Sequence, residues 1–183
     1  MPGWNQSTAA NRILIVPSGG EITVTLLSDL IPEVWPVWEH WRENLRRSIP
    51  CLPGCRICPD PVRWRGYCPA EFQCAVRLPD SEYARTGKIY GPLETRLTVV
   101  QFSEANANSL DGYDLCGLSI KISRGRGKTD ATRCEPLPQM KVDNLPPVFN
   151  WRAVLMRFWG LREWPKFAET EERPDVLPFR KLG

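Results

Sequence analysis

Alternation of apolar and polar positions is the strongest signal along the chain. Leu118-Ser119-Ile120-Lys121-Ile122-Ser123 alternates strictly, which predicts a strand with Leu118, Ile120 and Ile122 inward and Lys121 outward. Arg12 to Leu27 gives two β-rich runs flanking Pro17-Ser18-Gly19-Gly20, the pattern of a hairpin. Val62 to Cys68 alternates as well, with Val62, Trp64, Gly66 and Cys68 on one face and Arg63, Arg65 and Tyr67 on a second, basic and aromatic face. Thr95 to Phe102 reads as a further strand, and the Asn, Ser, Asp and Gly of Ser103 to Gly112 read as a loop.

Two segments follow a helical period instead. Trp35, Trp38 and Trp41, three residues apart, predict a short helix or turn carrying an aromatic stripe, whose plain reading is core packing. Trp151, Val154, Leu155, Phe158 and Trp159 predict an amphipathic helix within 148–161 that ends at Gly160 and caps the sheet. Beyond Pro165, acids and bases mix with two further prolines. The organisation expected is a flexible arm over 1–11, one β-rich domain over 12–164 and a mobile tail over 165–183.

Composition changes this picture little. The 183 residues hold 42% hydrophobic and 25% charged side chains, an ordinary globular balance, while 18 Pro and 8 Trp argue against long helices. A net charge of +3 is too small to identify a polyanion partner. Met1 to Ala10 lacks the basic start and apolar run of a signal peptide, and no apolar stretch reaches membrane-spanning length. The expectation is a non-secreted, cytoplasmic protein without a membrane partner.

Cysteine usage does change the picture. There are seven, an odd number, and Cys51, Cys55 and Cys58 crowd into eight residues, which suits metal chelation in a reducing compartment better than a disulfide framework. Cys68, Cys74, Cys116 and Cys134 are scattered and read as small core residues. With His40, the only histidine, the string His40-x10-Cys51-x3-Cys55-x2-Cys58 supplies the Cys3His set of a closed structural zinc site. Pro50, Pro53 and Gly54 add the turn chemistry of a tight knuckle over 40–58. Cys68 is a rival fourth ligand, and three cysteines in a metal-free loop are the plain alternative. Cys-x3-Cys-x2-Cys also matches the iron–sulfur spacing of radical S-adenosylmethionine enzymes, but this chain lacks the length and strand–helix alternation of their barrels.

Catalysis is not expected. A closed zinc site has no open position, and His40 is followed by Trp41-Arg42 where a deaminase needs His-x-Glu. A triad finds no second histidine. Binding remains. Lys121, Arg124, Arg126, Lys128 and Arg133 face only Asp130 between Leu115 and Cys134, and Arg42, Arg46, Arg47, Arg56, Arg63 and Arg65 surround the knuckle with Trp64 and Tyr67 among them. Phosphates attract such cations and unstacked bases attract aromatic faces, so single-stranded nucleic acid is the expected ligand.

From His40 through Pro50-Cys51, Gly54-Cys55 and Cys58 to Trp64-Arg65-Gly66-Tyr67, the chain resembles the zinc-containing OB-fold single-stranded DNA-binding proteins of bacteriophages. The likeness covers residues 36–68, with an echo in the Leu118 to Arg124 strand and loop. It implies a mainly β (α+β) fold, an OB-like small barrel with an inserted zinc knuckle and a C-terminal helix. It further implies Zn2+ held by His40, Cys51, Cys55 and Cys58, and a DNA groove lined by Arg63, Trp64, Arg65, Tyr67, Lys121, Arg124, Arg126 and Lys128, in replication, recombination or a mobile-element setting. The phage proteins end in a strongly acidic tail, whereas this chain returns to Arg180 and Lys181. The alternatives are a non-catalytic protein-interaction subunit docking through the Trp-rich segments or the 148–161 helix, and an RNA-binding protein.

Overall fold

A computed structural model describes residues 9–30, 37–52, 62–127, 130–147 and 149–166. Its strands are β1 (Ala9–Ile13), β2 (Glu21–Leu26), β3 (Val37–Arg42), β4 (Arg47–Pro50), β5 (Val62–Arg77), β6 (Tyr90–Ser103), β7 (Ser119–Arg124) and β8 (Thr132–Leu137). Among the described residues three α-helices accompany them: α1 (Asp80–Thr86), α2 (Glu104–Asn108) and α3 (Trp151–Trp159). The long antiparallel pair of β5 and β6 is the spine, with Tyr67 opposite Gln101 and Cys68 opposite Val100. The sheet runs β1-β6-β5-β2-β7-β8, and β3 pairs with the start of β5 while β4 pairs with β3. The protein is therefore mainly β. Among the described residues the outer strands β1 and β8 do not pair with each other, so the sheet is open and shows no clear barrel closure.

Strand alternation divides the interior in two. Alternate positions of β2, β5, β6 and β7 place Val24, Leu26, Cys68, Ala70, Val100, Phe102, Ile120 and Ile122 in one core, which Ala107 of α2 and Leu110 and Leu115 of the following loop close over. The opposite face gives Ile13, Val37, Tyr67 and Val99, and these meet Val154, Leu155 and Trp159 of α3. Asn150 caps α3 by accepting from Ala153 N at 3.1 Å, and Gly160 ends it at φ 71°. The expected helix and its glycine stop are both present.

Four expectations need correction. The runs around Pro17-Gly20 are not partners: β1 lies parallel to β6, while β2 pairs antiparallel with β5 and β7. The turn itself forms, with Gly20 N donating to Pro17 O at 3.0 Å, but it carries the chain across the sheet instead of folding it back. Val37–Arg42 is a strand rather than a helical stripe, so Trp38 and Trp41 point to opposite faces; Trp35 lies outside the described residues. Ladders to both β4 and β5 outweigh the local spacing. The Ser103–Gly112 segment opens with α2, whose N-cap Ser103 accepts from Asn106 N at 3.3 Å. Of the expected arm over 1–11, residues 9–11 belong to β1; residues 1–8, and the expected tail beyond 166, lie outside the described residues.

Candidate metal centre

The β3–β4 hairpin sets the geometry of the proposed knuckle. Its ladder pairs Glu39 with Pro50, His40 with Ile49 and Trp41 with Ser48, and Cys51 N extends it by donating to Trp38 O at 2.6 Å. In an antiparallel ladder, residues opposite one another share a face. Trp38, His40, Ile49 and Cys51 therefore lie on one face, with the positions of Val62 and Trp64 of β5 beside them. His40 is buried and Cys51 half-buried, and Trp38 and Trp64 stack at a tilt with ring centroids 4.9 Å apart. An imidazole and a thiol on one face supply two members of a Cys3His metal set. Cys55 and Cys58 lie outside the described residues. Among the described residues no group of three His, Cys, Asp or Glu gathers as a metal cluster.

Cys68 is placed away from this cluster. It follows Val62, the residue opposite His40, by six positions along β5, or about 20 Å at strand rise. Its thiol donates to Ser28 O at 2.9 Å in the sealed core, and burial pushes it up to about 12. Burial also pushes the Cys134 thiol up to about 12. Because the thiolate is the reactive form, a maleimide at neutral pH should modify exposed Cys116 first and half-buried Cys74 next, and spare Cys68 and Cys134. Peptide mapping by mass spectrometry checks that order; early labelling of Cys68 would contradict its burial.

The residues expected to line a nucleic-acid groove divide between two faces. Trp64 shares the face of Ala70, Val24, Ile122 and Arg124. The positions of Arg63 and Arg65 share the opposite face with Tyr67, and Lys121 lies there too. Tyr67 is fully buried and meets Trp159 edge-on at 5.5 Å, so it offers no ring to a base. Lys121 Nζ pairs with Glu135 at 2.7 Å, beside Glu21. Arg126 is exposed in the β7–β8 loop, its stem against Gly19; Lys128 lies outside the described residues. What the sequence presented as one basic aromatic surface thus divides, with Tyr67 under α3 and Trp64 and Arg124 on the opposite face.

Beneath α3 lies a polar cluster that strand alternation did not announce. The carboxylate of Glu39 is buried, and its Oε1 accepts from Tyr67 Oη and from Trp159 Nε1 at 2.9 Å. Gln101 Nε2 donates to Tyr67 Oη at 2.8 Å and reaches Glu39 Oε2 at 3.5 Å. Burial raises the Glu39 carboxyl above its ordinary value, against the lowering influence of these donors, Arg65 and Ser48. The only hint in the sequence is a glutamate between tryptophan and histidine at an inward strand position. Glu39, Tyr67 and Trp159 are buried, and through them the cluster fixes α3 on the hairpin's reverse side.

No family model, curated protein or solved structure matches this chain. Among the described residues no helix is long and apolar enough to cross a membrane.

Proposed function

We propose that this protein is a zinc-containing, non-catalytic binder of single-stranded DNA with little sequence preference. The observation that carries the proposal is the hairpin register, which brings His40 and Cys51 to one face at the mouth of the cysteine loop. Zn2+ held by His40, Cys51, Cys55 and Cys58 would pin that loop beside the tilted Trp38 and Trp64 rings. Bases stack on such rings at roughly 1–3 kcal/mol each, whatever their identity. Arg124 lies on the same face as Trp64, and Arg126 is exposed at the β7–β8 tip, where it can meet backbone phosphate. In this reading the open sheet works as an OB-like platform, in line with the phage resemblance, and the setting is replication or recombination.

Elemental analysis of the purified protein together with titrations against single-stranded and duplex DNA tests both halves. About one zinc per chain is expected, lost in Cys55→Ser, with a preference for the single strand. Replacing Arg124 and Arg126 together with Ala should weaken binding several-fold and lower the salt slope by about one to two, leaving the melting midpoint unchanged. Unchanged affinity removes the β7–β8 tip from the interface; metal-free protein removes the knuckle.

Protein interaction is a second reading that one observation favours. Tyr83, Ile89, Tyr90 and Leu93 crowd into eleven residues and each exposes more than half its surface.

A further inference from the structure

Past their last shared rung, β2 and β5 part. They pair from Leu26 opposite Ala70 to Val24 opposite Phe72; beyond that rung β2 keeps beside β7 and β5 beside β6. The parting opens a cleft of about 750 Å³ whose lining includes Glu21, Thr25, Glu71, Gln73, Thr95 and Ser119. Residues opposite one another in an antiparallel ladder share a face, so Thr25, Glu71 and Ser119 stand side by side, with Gln73 and Thr95 next along it.

Hydrogen-bond polarity makes the floor of this cleft an acceptor. Ser119 Oγ donates its one proton to Met140 O at 2.7 Å, so in its 3.2 Å contact with Thr25 Oγ1 the threonine is the donor. Thr25 Oγ1 is left with lone pairs only, beside the Glu71 carboxylate. Glu71 is half-buried, and burial raises its carboxyl above the ordinary value with no base or donor offsetting it among the described residues. Lys141, the base in the described lining, is bound to Asp114, and Glu21 shares Lys121 with Glu135. The cleft thus carries an excess of negative charge and of acceptors. An ammonium group answers both, with a positive charge, three donors and no acceptor. A hard metal ion needs more oxygen ligands than a carboxylate and a hydroxyl supply, and among the described residues no metal cluster of His, Cys, Asp or Glu gathers.

We propose that this cleft binds a linear aliphatic polyamine, with one terminal ammonium seated between Glu71 and Thr25 and a second directed to Glu21. Glu21 lies four residues from Thr25 along β2, about 13 Å at strand rise, so a methylene chain with charges at both ends spans the two. Ile22 and Phe72 border the gap and give those methylenes apolar contact. The inference is independent of the metal and of DNA binding.

Calorimetric titration of the full-length protein, free of nucleic acid and at physiological ionic strength, tests it with spermidine, butylamine and Mg2+ as probes. Spermidine should bind more tightly than butylamine, and equimolar Mg2+ should leave it in place. Glu71→Gln should weaken both amines about tenfold or more, the loss of a charge-assisted hydrogen bond, without lowering the melting midpoint. Glu21→Gln should weaken spermidine about two- to fivefold and leave butylamine unchanged. Amide chemical shifts give a reading free of mutation: those of Thr25, Glu71 and Gln73 should move together as spermidine is added. Absence of spermidine binding, full affinity in Glu71→Gln, or unmoved amides at Thr25 and Glu71 would overturn the proposal. So would displacement by equimolar Mg2+, which would give the cleft to a metal ion, or equal affinity for the two amines, which would remove Glu21 from the site.

Discussion

Glu39→Ala is expected to lower folding free energy by about 3–5 kcal/mol, whereas Glu39→Gln should stay near the wild type at neutral pH. Alanine leaves the Trp159 indole N–H and the Tyr67 hydroxyl buried without their acceptor, and opens a void beneath α3. Glutamine keeps an oxygen for both donors. The pH dependence has a definite sign. The folded state holds the Glu39 proton to higher pH than the unfolded chain does, so between the ordinary carboxyl value and the raised one the folded state binds more protons. Stability from this group is full below the ordinary value and declines as pH rises through the folded one. Glu71, also raised by burial, adds to the same trend. Denaturant unfolding from pH 4 to 8 should thus show a decline that Glu39→Gln flattens in part. A Glu39→Ala midpoint equal to wild type would dissolve the cluster's structural role.

Metal removal gives the second large effect. Incubation with a strong chelator is expected to lower the melting midpoint by roughly 10 °C, since losing a structural site costs several kcal/mol and each kcal/mol moves a domain of this size by roughly 2–4 °C. Cys51→Ser should show the same loss without chelator and little further change when it is added, because both remove one interaction. A midpoint indifferent to chelator in protein that contains zinc would place the metal somewhere other than the hairpin.

Much of the fold was legible where one physical period acted alone. Ile120 and Ile122 alternate inward as read, and Gly160 stops the helix that Val154, Leu155 and Trp159 mark out. Legibility failed where a long-range ladder competed with local spacing. Trp38 and Trp41 suggest a helix by interval, yet two neighbouring strands hold their segment extended. Alternation also named the two faces of Val62–Cys68 correctly but could not say which is inside, because both are: Cys68 in one core and Tyr67 in the other. Lys121 pointed outward as expected, but its partner Glu135 comes from β8, and a cross-strand pair follows from register alone. Of the proposed metal set, sequence supplied the residue types; the shared face of His40 and Cys51 needed the hairpin.

The hairpin that presents His40 is fastened from behind by α3: Trp159 reaches its Glu39, and the Arg47 guanidinium on β4 fills the space where any side chain at Gly160 would go. On the ribosome, that hairpin emerges roughly a hundred residues before the helix does. If the proposed knuckle binds zinc, a nascent chain can thus gather its thiols around the ion early, while the wall behind them is still missing. On the proposed zinc reading, capture of the ion and its final locking are separate events in the protein's synthesis, and a chain halted before Trp151 would hold the ion on an unbraced strand.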